Sequence, residues 1–271
     1  MSEPRSEAPI GVFDSGVGGL TVLRALMADL PHEDFVYLGD TARLPYGTKS
    51  AQTVARYSVR AAESLATRGI KALVVACNTA SATALPSLRE RFPDMPVIGV
   101  IEPGARAACE ASASGRIAVL ATEGTVKGGA YERAIRAVRA DAVVTQVACQ
   151  VFVALAEEGW SEGVAVEAVT SRYLSHLDAR VDTVVLGCTH FPLLSHAIAA
   201  ELGANRRVVD SAATTARASR GLLAQRGLLR ESAKSGGVKL MATDSPERFA
   251  RVGARFLGSS IAMREVETID L

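Results

Sequence analysis

The sequence predicts a doubly wound α/β fold with mostly parallel sheets, and three observations lead to this prediction. Short apolar runs alternate with longer amphipathic segments along almost the whole 271-residue chain. The short runs are continuously apolar, as strands are when a parallel sheet is covered on both faces. Hydrophobic residues make up 48% of the chain and charged residues 22%, a balance that supports a large core. A regular succession of strand and helix is typical of α/β architecture.

Nine apolar runs are predicted as strands, in chain order: Ile10–Phe13, Phe35–Leu38, Ala72–Ala76, Val97–Val100, Ile117–Leu120, Ala142–Val147, Thr183–Leu186, Arg207–Val209 and Val238–Ala242. The segments between them have helical periodicity. In Ser50–Arg68, for example, Val54, Tyr57, Ala61 and Leu65 recur at three- and four-residue steps, which places them on one helix face.

No flexible linker divides the chain, so we expect any domain boundary to be a tight crossing. A new series of strands starts after Glu102–Pro103, and a second crossing is expected near Asp210. We therefore predict a first domain of residues 1–100 plus 210–271 and a second domain of residues 101–209.

Composition excludes several classes of protein. The net charge of +1 favours neither a nucleic acid nor an anionic membrane as the main partner, and no apolar run approaches the roughly 18 residues of a membrane span. The four cysteines contain no C-x-x-C pair and lie mostly in apolar runs, so we expect a reducing, cytoplasmic location.

The first strand ends in the glycine-rich sequence GVFDSGVGGL. A dinucleotide fingerprint starting at Gly16 needs a glycine where Thr21 stands, so the match is poor. A helix N-terminus that binds a smaller anion, with Asp14 directed at a cation, fits better. Asp14 as a simple helix cap remains an equal alternative.

Two later strands end in a cysteine. VVACNTA places Cys77 between a strand and the start of a helix, and VVLGCTHFP does the same for Cys188. A helix N-terminus is one of the settings that lowers the pKa of a thiol. The matched contexts indicate that the two cysteines occupy equivalent places in two similar halves.

Four chemistries are open to such a pair. A zinc site with Cys77, Cys188 and His190 lacks the usual closely spaced ligand pairs, and a redox pair lacks C-x-x-C. A nucleophile formed by Cys188 and His190 leaves Cys77 unused. Two thiols on opposite faces of one carbon suit racemisation, in which one removes a proton and the other returns one.

A thiol has a pKa near 8.5, so forming a thiolate at pH 7 costs about 2 kcal/mol. Asp14 would raise the pKa of a neighbouring thiol. We therefore expect Asp14 to neutralise a substrate ammonium group or to accept the thiol proton.

The chain resembles the glutamate racemases of the cofactor-independent aspartate/glutamate racemase family. The resemblance rests on DSGVGGL, GDTARLPYG, ACNTA, TEGTVKGGAY and GCTHFPLL, in this order, and VVDSAATTA extends it. It implies two pseudosymmetric α/β domains with the site in the cleft between them, a homodimer, and the supply of D-glutamate for peptidoglycan. It implies no cofactor and no metal.

The resemblance also implies residue roles. Cys77 would act on D-glutamate and Cys188 on L-glutamate, assisted by Asp14 and His190. The two substrate carboxylates would be held by Ser15, Pro45, Tyr46, Gly47, Asn78, Thr79, Thr125 and Thr189.

Around Glu157 the sequence departs from the family pattern. The family usually has A-C-P where this chain has Ala148, Cys149 and Gln150, and Ala154 replaces a common proline, which puts the carry-over of Glu157 as a further acidic site residue in doubt. Cys109 and Cys149 are interpreted as packing residues, and His32, His176 and His196 as surface or helix-end residues.

Two further functions remain open. A racemase of the same family acting on aspartate or a hydantoin keeps the two-thiol chemistry, although the PYG and CTHFPLL loops favour glutamate. A non-catalytic amino-acid-binding module would make both cysteines structural.

Overall fold

The computed structural model describes residues 5–232 and 234–271, which form two parallel sheets with helices on both faces. The first sheet contains β1 (Ile10–Asp14), β2 (Phe35–Gly39), β3 (Ala72–Val75), β4 (Val97–Gly99), β9 (Val238–Ala242) and β10 (Val266–Thr268). The second sheet contains β5 (Arg116–Ala121), β6 (Val143–Ala148), β7 (Thr183–Gly187) and β8 (Arg207–Asp210). The predicted fold class is confirmed.

Eleven α-helices connect these strands in the described part of the chain: α1 (Leu20–Asp29), α2 (Ala51–Ala66), α3 (Asn78–Arg91), α4 (Ile101–Ala111), α5 (Glu123–Gly128), α6 (Ala130–Val138), α7 (Val151–Glu158), α8 (Val164–Leu174), α9 (Ser195–Leu202), α10 (Ser211–Gln225) and α11 (Pro246–Leu257). None of the described helices is both long and apolar enough to cross a membrane.

The two sheets share one strand arrangement. The first has the order β10-β9-β2-β1-β3-β4 and the second the order β6-β5-β7-β8, and all neighbouring strands pair in parallel. The order 2-1-3-4 in the first sheet therefore recurs as 6-5-7-8 in the second. In this correspondence β3, which leads to Cys77, is equivalent to β7, which leads to Cys188.

The burial of the strands explains why the sequence pattern predicted them. The strands β1, β2, β3 and β7 are buried at every position, because helices cover both faces of the sheets. All nine predicted strands form, and none of their ends differs from the prediction by more than one residue. The short edge strand β10 was missed by the sequence analysis.

Two helices pack on the sheet opposite to the one that they follow in the chain. Helix α4 follows β4 of the first sheet but packs on α6 and β7, whereas α10 follows β8 of the second sheet but packs on α1. Consequently one apolar core runs through both sheets, joining Ile10 and Val12 with Val119 and Val185 through Ala105 and Ala216.

Candidate active site

A cavity of about 50 Å³ lies between the two sheets, where the loops that follow β1, β2 and β3 meet those that follow β5, β6 and β7. Carboxyl ends of parallel strands are where open α/β sheets place their ligand sites. The lining residues are Ser15, Gly16, Leu44, Pro45, Tyr46, Gly47, Cys77, Asn78, Thr79, Thr122, Gln150, Val153, Glu157, Cys188, Thr189 and His190. Both strand-end cysteines thus face the same cavity, although they are 111 positions apart.

Cys77 is the N-cap of α3. Its Sγ accepts a hydrogen bond from the backbone N–H of Ala80 at 3.4 Å and donates one to Ser15 Oγ at 3.5 Å. Burial, with the negative charge of Asp14 adding to it, raises the pKa of the Cys77 thiol to about 12 despite these contacts. At neutral pH Cys77 is therefore a protonated thiol.

Asp14 is the last residue of β1 and is 1% exposed. Its Oδ2 accepts a hydrogen bond from the N–H of Gly16 at 2.9 Å, whereas Oδ1 has no partner in the described part of the chain. Burial raises the pKa of Asp14, while the charge of His190 and the N–H groups of the glycine loop oppose that shift. Asp14 is not the cap of α1, because that helix begins six residues later with Gly19 as N-cap.

Cys188 starts a chain of polar contacts that crosses between the sheets. Its Sγ lies 3.8 Å from His190 Nδ1, and His190 Nε2 lies 3.1 Å from Glu157 Oε1. The other carboxylate oxygen, Glu157 Oε2, accepts a hydrogen bond from Arg248 on α11 at 2.9 Å. Glu157 therefore lies behind His190 and lines the cavity.

The charge on His190 follows from these contacts. Burial alone lowers its pKa, but the hydrogen bonds and charges of Cys188 and Glu157 raise it to about 10. Glu157 responds in the opposite sense: burial raises its pKa, but His190 and Arg248 leave it lowered overall. His190 is thus an imidazolium at neutral pH and lies beside the Cys188 sulfur.

The glycine loop after β1 packs closely against the loop that contains Cys188. A Cβ atom on Gly18 would lie 2.4 Å from Thr189 Oγ1 and 2.5 Å from the His190 ring, so only glycine fits there. The single hydroxyl proton of Thr21 is shared between two carbonyl acceptors, Gly18 O at 2.9 Å and Thr189 O at 3.1 Å. The glycine loop after β1 therefore fixes the position of the Cys188–His190 loop.

Neutral polar groups surround the remaining cavity. Asn78 Oδ1 accepts a hydrogen bond from Tyr131 Oη at 2.8 Å, while its buried Nδ2 has no partner among the described residues. The hydroxyls of Thr79, Thr122 and Thr125 form a triangle with sides of 3.0 to 3.2 Å. Thr125 reaches this cluster but does not line the cavity itself. Such donors bind carboxylates without an arginine.

The loop after β2 is held by Asp40. Its carboxylate accepts hydrogen bonds from Tyr46 Oη at 2.6 Å, from Arg43 at 2.9 Å and from Thr243 at 2.9 Å. The ion pair of Asp40 and Arg43 thus belongs to the network that presents Pro45, Tyr46 and Gly47 to the cavity.

The other cysteines and histidines lie outside the cavity lining. Cys149 is buried and Cys109 partly buried, as packing residues are, and His32, His176 and His196 are exposed. In residues 5–232 and 234–271 no three His, Cys, Asp or Glu side chains are grouped to hold a metal ion, so the zinc alternative gains no geometric support.

Sequence reasoning missed two polar lining residues, Thr122 and Gln150. Both follow the carboxyl end of a strand, β5 or β6, and that position was the available signal. It was weak, because a single threonine or glutamine at a strand end is common in loops.

Comparison with known proteins gives consistent matches over the chain. The family model described as Asp/Glu/hydantoin racemase matches residues 20–219. A glutamate racemase of Geobacter metallireducens is 50% identical over 253 residues, which cover 93% of each chain.

Solved structures agree with these matches. The glutamate racemase of Thermus thermophilus, in complex with β-chloro-D-alanine, has a TM-score of 0.89 and 41% identity over 98% of both chains. That of Francisella tularensis, in complex with D-glutamate, has a TM-score of 0.91 and 35% identity over 98% of both chains.

Proposed function

The chain belongs to the Asp/Glu/hydantoin racemase family, and on that premise we propose that it is a glutamate racemase, an isomerase that interconverts L- and D-glutamate. The observation that carries this proposal is the pair of cysteines, each at the carboxyl end of equivalent strands, that line one cavity. The glutamate racemases among its relatives support glutamate as the substrate.

We propose that Cys77 and Cys188 are the acid-base pair. With L-glutamate, the Cys188 thiolate takes the Cα proton and the Cys77 thiol gives its proton to the opposite face of the same carbon. With D-glutamate the roles reverse. No proton is gained or lost overall, but the two sulfurs exchange protonation states, so the pair must be reset before the next turnover in the same direction.

The charges around the two cysteines support this assignment. The imidazolium of His190 lies beside the Cys188 sulfur, and the pKa of about 12 keeps Cys77 protonated. A protonated Cys77 can donate its proton, as the proposed reaction of L-glutamate requires. To act on D-glutamate, Cys77 needs a lower pKa, and a bound α-ammonium group beside Asp14 would lower it.

The carboxylates of the substrate would be held by neutral donors. Asn78 Nδ2 and the threonine hydroxyls are available, and the N-terminus of the 14-residue α3 directs backbone N–H groups at the cavity. Ser15, Thr189 and the Pro45–Gly47 loop complete the proposed binding set.

We also propose the domain division at residues 100 and 210, a cytoplasmic homodimer, and the supply of D-glutamate for peptidoglycan. Packing of α4 on the second sheet and α10 on the first supports the two crossing points.

The test is Cα hydrogen exchange in deuterated water with L- or D-glutamate, without added pyridoxal phosphate or metal. We expect deuterium at Cα and conversion to the other enantiomer. Exchange with aspartate but not glutamate would favour the second substrate class, and no exchange with either would favour an amino-acid-binding module.

A further inference from the structure

The side-chain amide of Gln150 lies in the cavity wall and makes no hydrogen bond to another described residue. It lines the cavity, and its buried Oε1 has no hydrogen-bond partner among residues 5–232 and 234–271. An unpaired buried amide oxygen is costly, and native proteins keep few of them. An unpaired amide directed into a binding cavity points to a ligand as the missing partner.

The amide is not needed by its own helix. Gln150 is the N-cap residue of α7, but its side chain makes no capping hydrogen bond. The backbone N–H of Val151 donates instead to Tyr173 Oη at 3.1 Å. The local structure therefore leaves the Gln150 side chain free.

Strand order places Gln150 away from the two sulfurs. It follows β6, whereas Cys188 follows β7, and β5 lies between these strands. Neighbouring strands are about 4.8 Å apart, so the two loops start about 10 Å from each other.

The same separation exists in the first sheet. The loop containing Gly47 follows β2, and β1 separates β2 from the Cys77 strand β3. The two displaced loops meet each other, because a Cβ atom on Gly47 would lie 3.3 Å from Gln150 Oε1. Gln150 and Gly47 thus form one end of the cavity, remote from the carbon that loses its proton.

We propose that Gln150 binds the side-chain carboxylate of the substrate, as a specificity determinant for an amino acid with a distal carboxylate. This inference rests on the proposed glutamate racemase function. A side-chain amide offers its NH₂ or its C=O by rotation about its last bond, and a carboxylate, which only accepts hydrogen bonds, selects the NH₂. The Gln150 amide carries no charge, so it positions the substrate without adding a charge near the catalytic thiols.

The test compares Gln150→Leu with the wild-type protein in both reaction directions. The side-chain carboxylate is common to both enantiomers, so we expect KM to rise by the same factor, about tenfold, for L- and D-glutamate. We expect kcat to stay within twofold. Gln146→Leu is the matched control, because its amide oxygen is also buried and unpaired but lies on β6 outside the cavity lining. KM should not change in that variant.

Gln150→Glu is the second variant, since it keeps the size of the side chain. It places a negative charge against the substrate carboxylate, so KM should rise further than in Gln150→Leu. An active wild-type protein with unchanged KM in both Gln150 variants, or a fall in kcat at constant KM, would overturn this inference alone. A wild-type protein without Cα exchange on glutamate would overturn the proposed function, and this inference with it.

Discussion

The two cysteine loops occupy equivalent places in equivalent sheets, yet their charged neighbours are opposite. Cys77 lies beside Asp14, the last residue of the adjacent strand β1, whereas Cys188 lies beside His190, which belongs to its own loop. The backbone is thus approximately repeated while the electrostatics are not. The comparison teaches that a repeated backbone can place two thiols of the same chemistry beside opposite charges.

The largest effect is expected when either thiol is removed. In Cys77→Ser and Cys188→Ser the racemisation rate should fall by about 10³-fold or more, since a positioned acid-base group contributes 10²–10⁴-fold. The remaining thiol still exchanges the Cα proton on its own face, so Cys188→Ser should exchange deuterium into D-glutamate only and Cys77→Ser into L-glutamate only. Mass spectrometry and chiral chromatography together measure both quantities.

Cys109→Ser is the control for this pair, because Cys109 is partly buried and lies outside the cavity. Racemisation at the wild-type rate in either of the two catalytic variants would contradict the two-base assignment.

The two charged neighbours should respond differently to pH. We expect Asp14→Asn and His190→Asn each to lower kcat/KM by about 10²-fold at pH 7. The imidazolium persists up to a pH of about 10, so the wild-type profile should fall above that pH, and His190→Asn should lose this alkaline limb.

Asp14→Asn should keep the alkaline limb and lose the acid limb that the raised pKa of Asp14 sets. Profiles of kcat/KM from pH 5 to 11 measure both limbs. Identical profiles for the two variants would show that the asymmetry has no role in turnover.

The contact between the two halves can be tested at Gly18. Gly18→Ala forces a methyl group against Thr189 and His190, which we expect to cost about 1–3 kcal/mol of unfolding free energy and to lower kcat tenfold or more. Gly221→Ala on α10 is the control, because nothing lies within 4 Å of its Cβ position and alanine favours helix by about 1 kcal/mol. Urea unfolding and steady-state kinetics measure both effects, and equal behaviour of the two variants would contradict the close contact.

The smallest effect is expected at Glu157. Glu157→Gln removes the carboxylate behind His190, so the pKa of His190 should fall from about 10 and the alkaline limb should move to lower pH, with a loss in kcat/KM of about tenfold or less at pH 7. The folded-state pKa of His190 lies above its unfolded value near 6.5, so the stabilisation is complete below that pH and is lost as the pH rises through about 10. The part of the difference in unfolding free energy that comes from His190 should therefore vanish at high pH, and only the lost contact with Arg248 should remain. A difference that grows with pH would have the wrong sign.

Local signals made the strands and both cysteine loops predictable. Cys77 and Cys188 each stand between an apolar run and a helix start, and these features lie within a few residues of each other. Strands buried on both faces read as continuous apolar runs, which is why β1, β3 and β7 were found and the three-residue edge strand β10 was not.

Contacts between distant segments were not predictable in the same way. Glu157 meets His190 across 33 positions and Arg248 across 91, and no local pattern specifies either contact. Gln150 stood out only as a departure from a family pattern, and its direction into the cavity depends on how the loops after β2 and β6 meet. These relations arise from the packing of the two sheets against each other.

The packing of α4 and α10 on the opposite sheets has a consequence for thermal unfolding. Since each helix leaves one sheet and packs on the other, and one apolar core passes through both, neither sheet retains a complete core without the other. Unfolding should therefore be a single cooperative transition in calorimetry, with equal van't Hoff and calorimetric enthalpies. A fragment ending at residue 100 should not fold alone. Cys77 and Cys188 would therefore reach their positions at the cavity in the same folding step.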